Sequence, residues 1–302
     1  MYDIIGDVHG QADLLIDLLT RMGYVESGGC YQHQTRKAIF VGDFINRGPQ
    51  IKVTIEIIRN MVEHGAAFAI LGNHEVYALL YGLRDKTGKR LSNKPAHHRL
   101  NLISTLHEFA DYKKEWKSHV EWLRTLPLFL ELDGIRVVHA AWNDKSVRLL
   151  KSIAPDNRFT RKQLRELAKE NSEEGKAFWE LCRGVYFTLP KDLLLFDSKG
   201  DSHSYFRRKW WKSGKEATFK SLSYDSRFDV PNYQIPVEIA DYRDSYPEDA
   251  PIVFFGHYCI RKSKNIIKPN LCCVDGCVRK TGKLVAYRWN GEKKLEKTHL
   301  FV

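Results

Sequence analysis

The chain has 302 residues, 43% of them hydrophobic and 28% charged, with a formal net charge of +11. That length and apolar content support a full core, in one large domain with insertions or in two small ones. No apolar stretch approaches the ~20 residues of a membrane span, and the N-terminus enters the first motif directly, so no membrane partner and no signal peptide are expected and the expected location is cytoplasmic.

The predicted elements alternate along the chain. A short apolar run leads into Gly-Asp-Val-His-Gly (Gly6 to Gly10), and an amphipathic helix follows, with Leu14, Leu15, Leu18, Leu19 and Met22 on one stripe. Lys37 to Val41 reads as a strand and leads into Gly-Asp-Phe-Ile-Asn-Arg-Gly (Gly42 to Gly48). Gln50 to Glu63 reads as a helix. Ala66 to Leu71 reads as a strand before Gly-Asn-His-Glu (Gly72 to Glu75) and a helix from His74 to Tyr81. This β–α–β–α–β start implies parallel strands with right-handed crossovers. Residues 83–125 read as a helical insertion. Residues 145–250 read as a mixed insertion, with helices at Arg161 to Asn171 and Glu173 to Cys182. The strands Leu128 to Leu132, Ile135 to Val138, Ile252 to Phe255, Leu271 to Asp275 and Leu284 to Trp289 predict a second, more antiparallel sheet. Three of them border Val-His-Ala-Ala (Val138 to Ala141), Phe-Gly-His-Tyr (Phe255 to Tyr258) and Val-Asp-Gly-Cys (Val274 to Cys277).

The first five motifs supply two Asp, one Asn and four His. That oxygen and nitrogen mix suits manganese, iron, cobalt or zinc. Each motif sits at the end of a predicted buried strand, which is how one site is assembled from several loops. Asp7 and His9 are two residues apart, so on extended backbone both side chains project the same way. Asn73 has a second reading as a helix N-cap. Of twelve histidines, His9, His74, His139 and His257 stand in motifs, and the other eight read as ordinary core or surface imidazoles. Six cysteines show no paired Cys-x-x-Cys spacing and are expected to be reduced, buried thiols.

The motif order Gly-Asp-Val-His-Gly, Gly-Asp-Phe-Ile-Asn-Arg-Gly, Gly-Asn-His-Glu, Val-His-Ala-Ala, Phe-Gly-His-Tyr resembles the calcineurin-like metallophosphoesterases. Arg47 and Glu75 point to the phosphoprotein-phosphatase branch, which includes serine/threonine protein phosphatases and symmetrical dinucleoside tetraphosphatases. The resemblance covers roughly residues 1–80, 128–143 and 252–290. It implies a single four-layer α/β/β/α sandwich holding two divalent metal ions, Mn foremost. One ion would take Asp7, His9 and Asp43, and the second Asp43, Asn73, His139 and His257. It implies hydrolysis by a bimetal-activated hydroxide, with Arg47 on the phosphate oxygens and His74 at the leaving oxygen.

Three positions depart from the protein phosphatases. Asn46 stands where they have the Asp that orients the catalytic His. His139-Ala140-Ala141 stands where they have His-Gly-Gly, and their Ser-Ala-Pro-Asn-Tyr-type segment is missing. The segment Val274 to Val278, followed by Gly-Lys-Leu-Val-Ala-Tyr-Arg-Trp, looks instead like the closing hairpin of the dinucleoside tetraphosphatases, without its Thr.

Charge is unevenly spread. Residues 1–79, 128–144 and 248–257 hold 7 Lys and Arg against 14 Asp and Glu, and the remaining segments carry a balance of +18. An acidic core suits metal cations and a basic periphery suits a polyanionic substrate. Arg207, Arg208 and Lys209, beside Trp210 and Trp211, are candidate substrate contacts, since guanidinium and indole clamp phosphates and stack on bases. The alternative is that this tract anchors an insertion. The leading expectation is therefore a phosphoester hydrolase acting on nucleotide polyphosphates of the diadenosine tetraphosphate type. Serine/threonine protein phosphatase, an RNA or polyphosphate phosphatase with nucleic acid as partner, and a non-catalytic binding module are the alternatives.

Overall fold

The computed structural model describes residues 1–84, 87, 95–197, 200–215, 217–224, 229–236, 245–260 and 264–302. Of the two expected insertions, residues 85–86, 88–94, 198–199, 216, 225–228 and 237–244 lie outside that set. The chain divides into two compact units, residues 1–183 with 251–302, and residues 184–250.

The first unit holds two five-stranded sheets. In the first, Tyr2–Ile5 pairs in parallel with Lys37–Phe40, and Lys37–Phe40 pairs in parallel with Ala67–Ala69. Ala12–Arg21 and Ile51–Glu63 are the intervening helices. Their apolar residues recur every three to four positions, which buries Leu15, Leu18 and Leu19 on one and Ile51, Ile55, Ile58 and Met61 on the other. In the second sheet, Ile252–Phe255 lies in parallel between Ile135–Val138 and Leu271–Cys273. Phe129–Leu132 and Ile266–Lys268 close its edges in antiparallel. The second sheet is thus parallel at its centre and antiparallel only at its rims.

Apolar side chains from both sheets form one core, including Ile4, Ile39, Ile70, Val137, Phe254, Cys272 and Tyr287. Central strands buried on both faces read as unbroken apolar runs, as Ile252-Val-Phe-Phe255 does. One expected placement is corrected. Ala286–Trp289 pairs antiparallel with Tyr2–Ile5 and so belongs to the first sheet, not the second. The short helix Val278–Thr281, ended by Gly282 at φ +67°, turns the chain from one sheet to the other. Among the described residues, no helix is long and apolar enough to cross a membrane.

The cysteines are also corrected at one pair. Cys259 and Cys277 form a disulfide with Cα atoms 4.6 Å apart, while Cys30, Cys182, Cys272 and Cys273 are free and buried. The partners are 18 residues apart, a spacing that no local motif announces.

The second unit has a core of its own, with Phe187, Leu189, Phe206, Phe219 and Leu222 among its members. Tyr186–Thr188 pairs with Tyr205–Arg207, so that Phe187 faces Phe206. The alternation continues past the strand. Tyr205 is exposed and Phe206 buried, and Arg208, two residues on, is only 1% exposed. Its Nη2 donates to the Lys212 carbonyl at 3.1 Å. The period-two pattern therefore buries Arg208. Arg207 lies over the Tyr224 ring at 5.7 Å, and Lys209 Nζ donates to the Ser221 carbonyl at 3.3 Å. Trp210 and Trp211 are 7% and 6% exposed and meet Tyr246 and Tyr224 of the same unit edge-on. Arg208→Ala is expected to cost this unit about 1–3 kcal/mol, the range for stranding buried polar partners. Arg207→Ala is expected to stay within about 0.5 kcal/mol. Thermal melts followed by tryptophan fluorescence decide it, and equal melting temperatures for the two variants would contradict the burial argument.

Candidate metal centre

Every motif leaves the carboxyl end of a parallel strand. Asp7 and His9 follow Tyr2–Ile5, Asp43 follows Lys37–Phe40, and Asn73 follows Ala67–Ala69. His139 follows Ile135–Val138, and His257 follows Ile252–Phe255. Strand ends of the two sheets approach closely here. A Cβ on Gly6 would lie 1.8 Å from the Val274 carbonyl oxygen, so only glycine fits.

The backbone is held in a rarely populated conformation. Among the described residues, seven non-glycine residues have positive φ, and five of them are His9, Asp43, Asn46, Arg47 and His257. Such strain persists only where surroundings over-determine it, and it gathers at functional sites. The surroundings are visible for the Asp43 loop. The fully buried Glu75 carboxylate accepts the backbone N–H groups of Asp43, Phe44, Ile45 and Gly72, at 2.7, 3.1, 3.2 and 2.9 Å. Burial and the neighbouring Asp43 charge push its pKa up to about 7, and the amide hydrogen bonds pull against them.

Asp43 stands at the middle of the site. Its Oδ2 lies 3.7 Å from His9 Nε2 and 3.8 Å from His74 Nε2, and its Oδ1 lies 3.4 Å from His139 Nε2. Two groups of potential ligand atoms share it, His9 with Asp43 and His74, and Asp43 with His139 and His257. Asn73 is not the N-cap. It is the first helical residue after Gly72, and its Oδ1 lies 3.1 Å from His139 Nε2. Asp7 accepts the His257 backbone N–H at 3.1 and 3.3 Å through its two carboxylate oxygens.

These residues fit divalent cations. His139 Nδ1 lies 2.8 Å from the Val41 carbonyl, and His9 Nδ1 lies 3.2 Å from that of Ile45. A carbonyl only accepts, so both Nδ1 atoms carry protons and both Nε2 lone pairs face the centre. For His139 that lone pair meets Asp43 and Asn73 oxygens, an arrangement that needs either a second proton or a cation. Arg47 Nη1, 3.1 Å from His9 Nε2, supplies positive charge to the other ring.

The titration directions agree. Burial alone would depress His139, but hydrogen-bonded Asp43 and nearby Asp7 outweigh it and raise its pKa to about 10. Burial would raise Asp43, yet His139, His74 and His9 hold it well below the ordinary carboxylate range. Asp7 is pushed well above that range by burial, Asp275 and Asp43. Burial also lowers His9 to about 4.

A pH dependence follows. His139, with its folded pKa raised above that of a free imidazole, keeps its extra proton at neutral pH and loses it only as pH rises through about 10. A cation taking Nε2 must displace that proton, so apparent metal affinity is expected to rise with pH over that window. Calorimetric titration of the metal-free protein with Mn²⁺ at pH 7, in buffers of different ionisation enthalpy, should report about one proton released. Zero release would contradict the His139 assignment.

Sequence reading assigned no structural task to Glu75 and missed two further residues. Thr105 gives its hydroxyl proton to Asn46 Oδ1. Asp275, 6% exposed, accepts the Cys277 N–H at 2.8 Å and raises Asp7. Asp275 lay in a motif that could have flagged it. Thr105 had no local signal.

Fold and donor set define an α/β double-sheet sandwich with a candidate dinuclear divalent-metal centre at its strand ends. The chain belongs to the calcineurin-like phosphoesterase family, which matches residues 2–261. It is similar to the asymmetrical bis(5'-nucleosyl)-tetraphosphatase PrpE of Oceanobacillus iheyensis, 34% identical over 148 residues, which are 46% of this chain and 54% of that one. It is likewise similar to PrpE of Geobacillus sp. strain WCH70, 31% identical over 158 residues, 48% and 62% of the two chains. The chain thus spans about half the length of the curated relatives it matches. The cold-active protein-tyrosine phosphatase of a Shewanella species shares its fold at 12% identity, over 95% of this chain and 74% of that one, with a TM-score of 0.53.

Proposed function

We propose that this chain hydrolyses nucleotide polyphosphates of the diadenosine tetraphosphate kind at a dinuclear centre, with Mn²⁺ as the first candidate metal. The observation that carries the reading is Asp43, whose two carboxylate oxygens face different groups of histidines. Asp7, His9 and Asp43 would hold one cation, and Asp43, Asn73, His139 and His257 the other. When bound, such ions polarise phosphoryl oxygens and bring the pKa of water to about 7. The chain's own groups do the rest. Arg47, on a loop locked by Glu75, takes the non-bridging phosphate oxygens through its planar fork. His74 presents Nε2 beside Asp43 and serves the leaving oxygen.

Four features support the substrate class. The sequence relatives are named tetraphosphatases, and their names give asymmetrical cleavage, not the symmetrical kind that the closing hairpin suggests. Asn46 supplies no carboxylate to His74, and burial with the Arg47 charge holds that imidazole well below its ordinary pKa. A neutral imidazole suits a phosphate leaving group, which needs little protonation, better than a serine alkoxide. A cleft of about 610 Å³, lined by Gly48, Pro49, Ile103, Ser104, His107 and Glu108, opens beside the Arg47 loop and gives room beyond one phosphate. The fourth is the basic periphery of +18 around a core of −7. The RNA reading loses support, because the Arg207 to Lys212 tract is largely engaged within its own unit.

The test is a panel with Mn²⁺: an aryl phosphate, diadenosine tetraphosphate, a phosphopeptide and 5′-triphosphate RNA. Diadenosine tetraphosphate is expected to show the highest kcat/KM. A phosphopeptide turned over faster would replace this reading with the protein-phosphatase one.

A further inference from the structure

The Pro95–Glu108 helix carries none of the motifs, yet two of its hydroxyls meet the Asp43 loop, Ser104 Oγ accepting the Arg47 backbone N–H at 3.0 Å and Thr105 reaching Asn46. Thr105 is fully buried, and its hydroxyl donates to Asn46 Oδ1. Asn46, also fully buried, then turns Nδ2 to His74 Nδ1 at 2.7 Å. An amide NH₂ has only protons to offer, so Nδ1 is the acceptor and the ring proton of His74 sits on Nε2. That is the nitrogen 3.8 Å from Asp43 Oδ2, on the side of the candidate metal centre. The His74 backbone N–H, bonded to Asp43 Oδ1 at 2.9 Å, fixes where the ring starts.

The two ends of a carboxamide have nearly the same shape, so packing alone does not choose between them. Turned over, Asn46 would offer oxygen to Nδ1 and draw the ring proton there. Nε2 would then be bare and would have no hydrogen bond to give a leaving oxygen. In the structure Asn46 Oδ1 faces Thr105 and accepts its hydroxyl proton, which leaves Nδ2 for His74 Nδ1 and Nε2–H facing the site.

We infer that Thr105 is a positioning residue for hydrolysis, holding the Asn46 carboxamide so that His74 presents Nε2–H to the leaving group. The inference rests on the leaving-group role proposed for His74. It also assigns a task to the helical insertion, which places this one hydroxyl 59 residues from its partner in sequence.

The test measures the Mn²⁺-loaded enzyme on aryl phosphates whose phenols span a wide range of pKa, with Thr105→Val and Thr105→Ser. Assistance at the leaving oxygen matters most for poor leaving groups, where a positioned proton donor contributes about 10²–10⁴-fold. Thr105→Val is therefore expected to lower kcat by about 10–10²-fold for the least acidic phenols and by under about threefold for nitrophenol, with KM little changed. Thr105→Ser, which keeps the hydroxyl, is expected to restore the wild-type leaving-group dependence. Should Thr105→Val not fold, Thr105→Ala removes the hydroxyl without adding apolar bulk, and the same contrast is read against Thr105→Ser. An equal loss across the series, or a serine variant as impaired as the one lacking the hydroxyl, overturns the inference while leaving the hydrolase reading intact. A wild type inactive on every member and on diadenosine tetraphosphate overturns both.

Discussion

Replacing Asp43 by asparagine is expected to lower phosphoester hydrolysis by at least about 10³-fold, equivalent to about 4 kcal/mol of lost transition-state stabilisation. Asparagine nearly matches the shape of aspartate, and its carbonyl can still accept the His74 backbone N–H that Asp43 Oδ1 now takes at 2.9 Å. What it lacks is the second anionic oxygen. Oδ2 faces His9 and His74 while Oδ1 faces His139, so one neutral carbonyl cannot serve both sides. The loss should appear in kcat with the melting temperature near that of the wild type. Near-normal turnover with unchanged Mn²⁺ dependence would contradict the bridging role.

The largest effect on stability is expected at Glu75. Its carboxylate is buried completely and holds four backbone N–H groups. Three of them belong to the loop on which Asp43, Asn46 and Arg47 have φ of 52°, 68° and 71°. Glu75→Ala strands those donors without water, at about 1–3 kcal/mol for each group left unpaired. It also releases the strained loop that Glu75 clamps. A total loss of about 3–5 kcal/mol is expected, as when one partner of a buried charged pair is removed. Glu75→Gln keeps one acceptor oxygen and should fall between. Denaturant unfolding checks the order, and a Glu75→Ala midpoint within error of the wild type would refute the clamp.

Much of this was legible in the chain because strand ends announce themselves. Buried parallel strands are uninterrupted apolar runs, and Ile135–Val138 and Ile252–Phe255 begin and end where the pattern does. The polar motifs that follow them need glycine-rich turns, which are also visible. What could not be read depends on partners distant in sequence. Thr105 meets Asn46 across 59 residues, and Cys259 meets Cys277 only because two strand ends converge. Ala286–Trp289 reads as a strand from its residues, and its choice of the first sheet is made by the turn before it. Arg208 shows the converse: composition marks a basic tract, while the two-residue period from Phe206 buries that side chain.

The central claim, two cations sharing Asp43, is tested most directly by metal stoichiometry at equilibrium. Metal-free wild type and Asp43→Asn would be saturated with Mn²⁺ and the bound ions counted per chain by native mass spectrometry. Two ions on the wild type and fewer than two on the variant are the expected result. A single ion on saturated wild type, or two ions retained without the Asp43 carboxylate, would contradict it.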